Sequence, residues 1–101
     1  MADQQRTIEI LKAAGKYEST LILYISDNGA AFPGAKTTLY DPGTRLPCLV
    51  RSPGRRNPGA VQNAMVTWAD LTPTLLDVAG VATSAGSFDG RSFRAGLDGA
   101  E

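Results

Sequence analysis

At 101 residues, 43% hydrophobic and 20% charged, the chain has the make-up of one small globular domain, which excludes a disordered, highly charged polymer. Its 10 basic and 10 acidic residues cancel, so nothing in the charge favours nucleic acid as a partner. The single cysteine, Cys48, excludes an intrachain disulfide and a zinc site built on several thiolates, and the apolar runs are far shorter than the roughly 18 residues that suggest a membrane span.

The opening residues, Met1 to Arg6, lack the apolar core of a signal peptide, so this chain carries no address that can be read. From Asp3 to Ala14, apolar Ile8 and Leu11 recur at helical spacing, Asp3 suits the N-terminal cap, and Gly15 suits the stop. That predicts an amphipathic helix that lays Ile8 and Leu11 on a sheet. Thr20 to Ile25 is a continuous apolar run rich in β-branched and aromatic residues, the pattern of a buried parallel strand. Helix and strand together read as half of a parallel crossover unit.

At Ser26 the chemistry changes. Asp27 and Asn28 place two hard oxygen donors just past the strand's carboxyl end, where open α/β sheets bind ligands, and Gly29 permits a sharp turn. On the residues alone an Asx turn is the favoured reading, because a calcium site usually gathers about six to eight oxygens. Residues 27–45 form a long, irregular, Gly- and Pro-rich connection that suggests a functional loop, with Lys36 as its cation.

Pro47 to Arg51 resumes as a strand, Ser52 to Gly59 is an exposed turn-rich excursion, and Val61 to Trp68 predicts a third strand. Arg51, Arg55 and Arg56 make the only basic cluster, and without interleaved aromatics it reads as a solvated turn. Asp70 or Thr72 can cap a helix with Pro73 in its first turn and Gly80 at its end. Beyond Val81 the small and polar residues predict a linker and tail with little to bury. The pattern therefore separates 1–81, which holds the predicted elements, from 82–101, the linker and tail.

Ser26-Asp27-Asn28-Gly29, Phe32-Pro33-Gly34, Lys36-Thr37-Thr38-Leu39-Tyr40 and Pro42-Gly43-Thr44-Arg45-Leu46-Pro47 resemble the second metal-binding segment of the sulfatases, in the alkaline phosphatase superfamily. The resemblance is greatest to the heparan N-sulfatase-like branch. It continues through Asp70-Leu71-Thr72-Pro73-Thr74-Leu75-Leu76-Asp77 and Asp89-Gly90-Arg91-Ser92-Phe93. It implies an α/β fold, a partial, mostly parallel sheet with flanking helices, in which 1–81 is an incomplete C-terminal segment of the sulfatase catalytic domain and 82–101 leads towards a missing C-terminal region.

What else the resemblance implies concerns the site. Asp27 and Asn28 would complete a Ca2+ site begun by aspartates elsewhere in the catalytic domain. Lys36 would contact the sulfate, and Arg45 would either fix the loop or approach the substrate. Lys36 agrees with sulfatases at large but departs from the N-sulfatase branch, which can carry arginine there. Tyr40 and Asp41 would hold the loop. The substrate would be a sulfated sugar or another sulfate ester, and longer relatives are often periplasmic, secreted or lysosomal.

The nucleophile and the acid–base groups are not in this chain. Sulfatases make formylglycine from a Cys/Ser-x-Pro-Ser/Ala-Arg motif, whereas Cys48 is followed by Leu49, Val50, Arg51 and Ser52, and histidine is absent. Cys48 reads as a small buried hydrophobe, no residue is assigned a catalytic role, and Trp68, Phe32, Tyr24 and Phe93 read as packing. The expectation is a sulfatase-type segment, inactive alone, that meets an N-terminal sulfatase segment or self-associates. The alternative is a non-catalytic interaction module or pseudo-enzyme remnant that packs against a partner chain.

Overall fold

The computed structural model describes residues 2–54 and 57–99, so Arg55 and Arg56 of the expected basic cluster lie outside the described residues. The chain divides after Gly54 into two compact units.

The first unit begins with helix α1, Ala2–Ala13, followed by a 3-10 turn at Tyr17–Ser19 and strand β1, Ile22–Ile25. α1 ends as the sequence predicts. Gly15 takes a φ of 68°, and the Gly15 and Lys16 amides donate to the Lys12 and Leu11 carbonyls at 3.0 and 2.9 Å, the paired bonds of a Schellman stop. Ile8 and Leu11 are only half-buried, and the helix packs mainly against the Tyr17–Ser19 turn, not against the sheet as predicted. Tyr17 is the reason. The Lys12 ammonium stands 5.0 Å from the centre of its ring and the Arg51 guanidinium 3.7 Å, so the ring is held between helix and strand.

Strand β2, Cys48–Arg51, pairs with β1 antiparallel, Ile22 opposite Arg51 and Ile25 opposite Cys48. The parallel neighbour asked for by the crossover reading is not among the described residues. The link between β1 and β2 holds only a single-turn helix α2, Asp41–Thr44, and a loop connection of this kind returns a strand antiparallel, whereas a parallel neighbour needs a full crossover.

Arg51 departs from its reading as part of a solvated basic cluster. Its side chain is 14% exposed and donates to the carbonyls of Tyr17 and Thr20 and, at 3.0 Å, to the Glu18 carboxylate, tying β2 to the turn before β1. Cys48 is likewise not buried, because its face of the two-stranded sheet is uncovered. Partial desolvation still raises its thiol pKa above the usual value, which disfavours the thiolate.

In the second unit the third strand expected at Val61 to Trp68 is not formed. Val61 and Met65 are 84% and 95% exposed, and only a 3-10 turn, Trp68–Asp70, appears at its end. An apolar run forms strand only where a neighbour pairs its backbone, and none is present among the described residues. Helix α3, Leu71–Val78, follows with Pro73 near its start and stops at Gly80, whose φ is 75°. The Gly80 and Val81 amides close a second Schellman stop on the Asp77 and Leu76 carbonyls at 3.1 and 2.9 Å.

Asp70 stands at the start of α3 as predicted, but its carboxylate makes no cap bond to that helix: one oxygen takes the Thr67 amide at 2.8 Å, closing the capping box of the preceding 3-10 turn, and the other takes the Arg91 amide at 2.8 Å. Part of the stretch read as a tail is thereby tied back. Helix α4, Arg94–Leu97, is anchored to α3: Ser92 donates to the Asp77 carboxylate at 2.6 Å, Arg94 to the Asp77 carbonyl at 2.7 Å, and the Phe93 amide to the Thr74 hydroxyl at 3.0 Å. Thr74, 1% exposed, is the centre of this unit.

Candidate functional site

β1 delivers the chain to Ser26, and two side-chain bonds then shape the turn. The Ser26 hydroxyl donates to the Asn28 carbonyl at 2.8 Å, and the Asn28 amide nitrogen donates to the Gly29 carbonyl at 2.8 Å. The nitrogen of Asn28 being engaged, its side-chain oxygen is left as the free end. Asp27 is exposed, and its carboxylate takes no hydrogen bond or ion pair among the described residues. A carboxylate and an amide oxygen suit a hard cation such as Ca2+ or Mg2+. They fit as two members of a larger set, because no group of three or more His, Cys, Asp and Glu is gathered among the described residues.

The loop that follows folds around Ala35, the one buried hydrophobic residue among those described, at 5% exposure. The Ala35 and Lys36 amides donate to Phe32 and Ala30 carbonyls at 3.1 and 3.0 Å, and the Thr38 amide donates to Ala35 at 3.1 Å. Thr38 Oγ1 lies 2.9 Å from the Gly34 carbonyl and 2.8 Å from that of Ala35. Between them Thr37 is left-handed, with φ 66°, a conformation a β-branched residue adopts only when its surroundings impose it. Lys36 sits at this kink with an exposed side chain.

Gly29 and Gly43 join the turn to the loop. A Cβ on Gly29 would fall 2.5 Å from the Pro42 carbonyl and 2.9 Å from the Gly43 Cα, and one on Gly43 would overlap the carbonyls of Ala35 and Thr38. The two backbones touch only because neither residue has a side chain. The structure therefore brings the Asp27–Asn28 turn against the segment carrying Lys36. Arg45 lies beyond α2, exposed, with its amide closing the helix on the Asp41 carbonyl at 2.7 Å. Tyr40 and Asp41 contribute through backbone carbonyls, which accept from Gly43, Thr44 and Arg45.

Sequence reasoning singled out Gly29 but missed Ala35, Thr38 and Gly43. Their only signal is small size within a loop that also holds charged and aromatic residues. Of the aromatics, Tyr24 and Phe32 are exposed, and Trp68 and Phe93 are half-buried. The second unit has an open groove of 410 Å³ lined in part by Pro73, Asp77, Val81, Phe88 and Ser92. Its carboxylate is already spent, since Asp77 is bonded to Ser92 and Arg94.

The sulfatase family model matches residues 5–81, across the Asp27–Asn28 turn, the loop carrying Lys36 and α3. The chain belongs to the sulfatase family. It is 46% identical over 71 residues to N-sulphoglucosamine sulphohydrolase of Homo sapiens, covering 69% of this chain and 14% of the relative. It is 36% identical over 101 residues to N-acetylglucosamine-6-sulfatase of Bos taurus, covering 95% of this chain and 18% of the relative. Among solved structures it is similar to the phosphonate monoester hydrolase SpPMH from Silicibacter pomeroyi, with a TM-score of 0.82, 37% identity, and coverage of 95% of this chain and 19% of that one.

This sulfatase chain thus spans less than a fifth of the length of these relatives. Its α/β fold is that of a piece of the sulfatase and phosphonate monoester hydrolase architecture. Members of the family generally use a metal.

Proposed function

We propose that this chain is the metal-completing and sulfate-binding segment of a sulfatase catalytic domain. Asp27 and Asn28 would hold Ca2+, and Lys36 would meet the sulfate oxygens. The observation that carries this reading is the packing of Gly29 on Pro42 and Gly43, which sets two unpaired oxygen donors beside a loop bearing an exposed cation. When bound, calcium would orient the sulfate group and offset its negative charge.

The chain's own residues bind and orient. The Lys36 ammonium offers a compact positive charge to oxygens that gain charge as the S–O or S–N bond breaks. The turn bonds of Ser26 and Asn28 hold the backbone of the turn and orient the Asn28 amide, so less order would be lost there when the site closes. Arg45 would approach the substrate; its exposed side chain just past α2 supports that role over bracing the loop. No residue here can act as the formylglycine nucleophile, and no histidine is available, so the segment is inactive alone and works with the rest of a catalytic domain. The sulfated-sugar relatives make a sulfated sugar the first substrate to try.

The test combines this chain with the remaining sulfatase catalytic domain and assays sulfate and phosphonate monoesters side by side. Hydrolysis of the sulfate ester that is lost in Asp27→Ala and Lys36→Ala supports the reading. Turnover of the phosphonate ester alone would move the segment to the chemistry of its structural neighbour.

A second reading, a non-catalytic module packed on a partner chain, is favoured by the uncovered sheet, where Tyr24 and Leu49 are 46% and 65% exposed. Wild-type rates in both variants would favour it.

A further inference from the structure

We propose that Thr38 is a positioning residue and that, with the Gly29–Gly43 contact, it forms a joint fixing Lys36 relative to Asp27 and Asn28. This rests on the sulfatase reading above and deepens it by naming what aims the lysine. Lys36 has an exposed side chain with no hydrogen bond or ion pair among the described residues, so its backbone alone sets the point from which the ammonium reaches.

That backbone is fixed from three directions. Its own amide donates to Ala30, two residues beyond Asn28, at 3.0 Å. Ala35, immediately before it, is buried, and its carbonyl is the acceptor nearest to Thr38 Oγ1, at 2.8 Å. Thr37, immediately after it, is left-handed inside a turn closed by two bonds from Thr38 to the Ala35 carbonyl, the amide at 3.1 Å and the hydroxyl at 2.8 Å, and losing the hydroxyl bond weakens the restraint on that strained conformation.

Gly43 completes the joint. It lies against the Ala35 and Thr38 carbonyls on one side and, with Pro42, against Gly29 on the other. A displacement at Thr38 is therefore passed to Lys36, while the Asp27–Asn28 turn keeps its own Ser26 and Asn28 bonds. The two halves of the site separate: the lysine moves and the metal donors stay. A misplacement on the order of 1 Å at a group meeting the transition state costs about 100-fold in rate.

The experiment compares Thr38→Val, Thr38→Ser, Gly43→Ala and Lys36→Ala in the full chain and in the enzyme assembled from it with the remaining catalytic domain. Amide NMR of the full chain is read first. Thr38→Val shifts the Ala35, Lys36 and Thr37 resonances while those of Asp27 and Asn28 hold, and Thr38→Ser restores the pattern. On p-nitrophenyl sulfate, Thr38→Val and Gly43→Ala then lower kcat by about 10- to 100-fold with the half-saturating calcium concentration unchanged, and Thr38→Ser rescues.

Unmoved amides, or a wild-type kcat in Thr38→Val where Lys36→Ala is inactive, overturns the joint and leaves the sulfatase reading standing. A wild-type rate in Lys36→Ala overturns both. Loss of calcium dependence together with kcat in Thr38→Val would mark a general unfolding of the site and overturn positioning; Gly43→Ala checks the same point from the other side of the joint.

Discussion

Arg51 and Glu18 share an ion pair, yet the two residues contribute unequally. Glu18 is 87% exposed, and a pair with one solvated partner is worth little, so Glu18→Gln should cost less than about 0.5 kcal/mol. Arg51 is 14% exposed, donates to two backbone carbonyls and stacks on Tyr17, so Arg51→Ala should destabilise the first unit by about 2–4 kcal/mol in urea unfolding. Arg51→Lys should recover little, because one ammonium cannot reproduce the planar fork. In the second unit, Thr74→Val keeps the shape but removes the hydroxyl between the Asp70 carbonyl and the Phe93 amide, at an expected cost of about 1–2 kcal/mol.

The pH response sits on Asp70 and Asp77. The Thr67 amide, then the Arg91 amide, hold the Asp70 carboxyl below its ordinary range, and the Ser92 hydroxyl followed by Arg94 does the same for Asp77. Folded values below the unfolded ones mean that this stability is complete above the unfolded carboxylate pKa, about 4, and is lost as pH falls through the folded values. An acid titration followed by amide exchange at Arg91 and Phe93 should show the α3 attachment opening below about pH 4, and Asp77→Asn should flatten that response near Ser92.

α1 and α3 were legible because their ends are written in local chemistry, whereas the single-turn α2 and α4 lie in stretches read as loop and tail. Gly15 and Gly80 occupy the left-handed stop of α1 and α3, so Gly80→Ala should cost about 1 kcal/mol and fray the α3 end in far-UV dichroism. β1 and β2 were legible from their apolar runs, but their antiparallel pairing was not, since direction depends on the connection and not on the strand. Val61 to Trp68 fails for a related reason: its composition favours a strand, but no backbone among the described residues pairs with it. In the site, Asp27, Asn28 and Lys36 were visible because charged or chelating groups stand out beside a strand end. Ala35, Thr38 and Gly43 were hidden because they act by being small or by bonding to backbone, and both depend on a loop geometry that periodicity does not encode.

The composition is 43% hydrophobic, yet among the described residues Ala35 is the only buried hydrophobic one, while Leu39, Tyr40, Leu49 and Met65 are 94%, 69%, 65% and 95% exposed. Such surface is covered in a larger assembly or associates. Light scattering of the purified chain should therefore show self-association that disappears when the remaining catalytic domain is supplied; a folded monomer at high concentration would count against it. The length of the relatives points the same way, because the matched segment is under a fifth of each.

The most direct measurement is a calcium titration of sulfate-ester hydrolysis by the assembled enzyme, wild type against Asp27→Ala, with Lys36→Ala at saturating calcium. The proposed roles predict a half-saturating calcium concentration raised at least about tenfold by Asp27→Ala, and kcat lowered about 100-fold or more by Lys36→Ala. An unchanged calcium dependence together with an unchanged kcat would contradict the assignment of metal and sulfate binding to this segment.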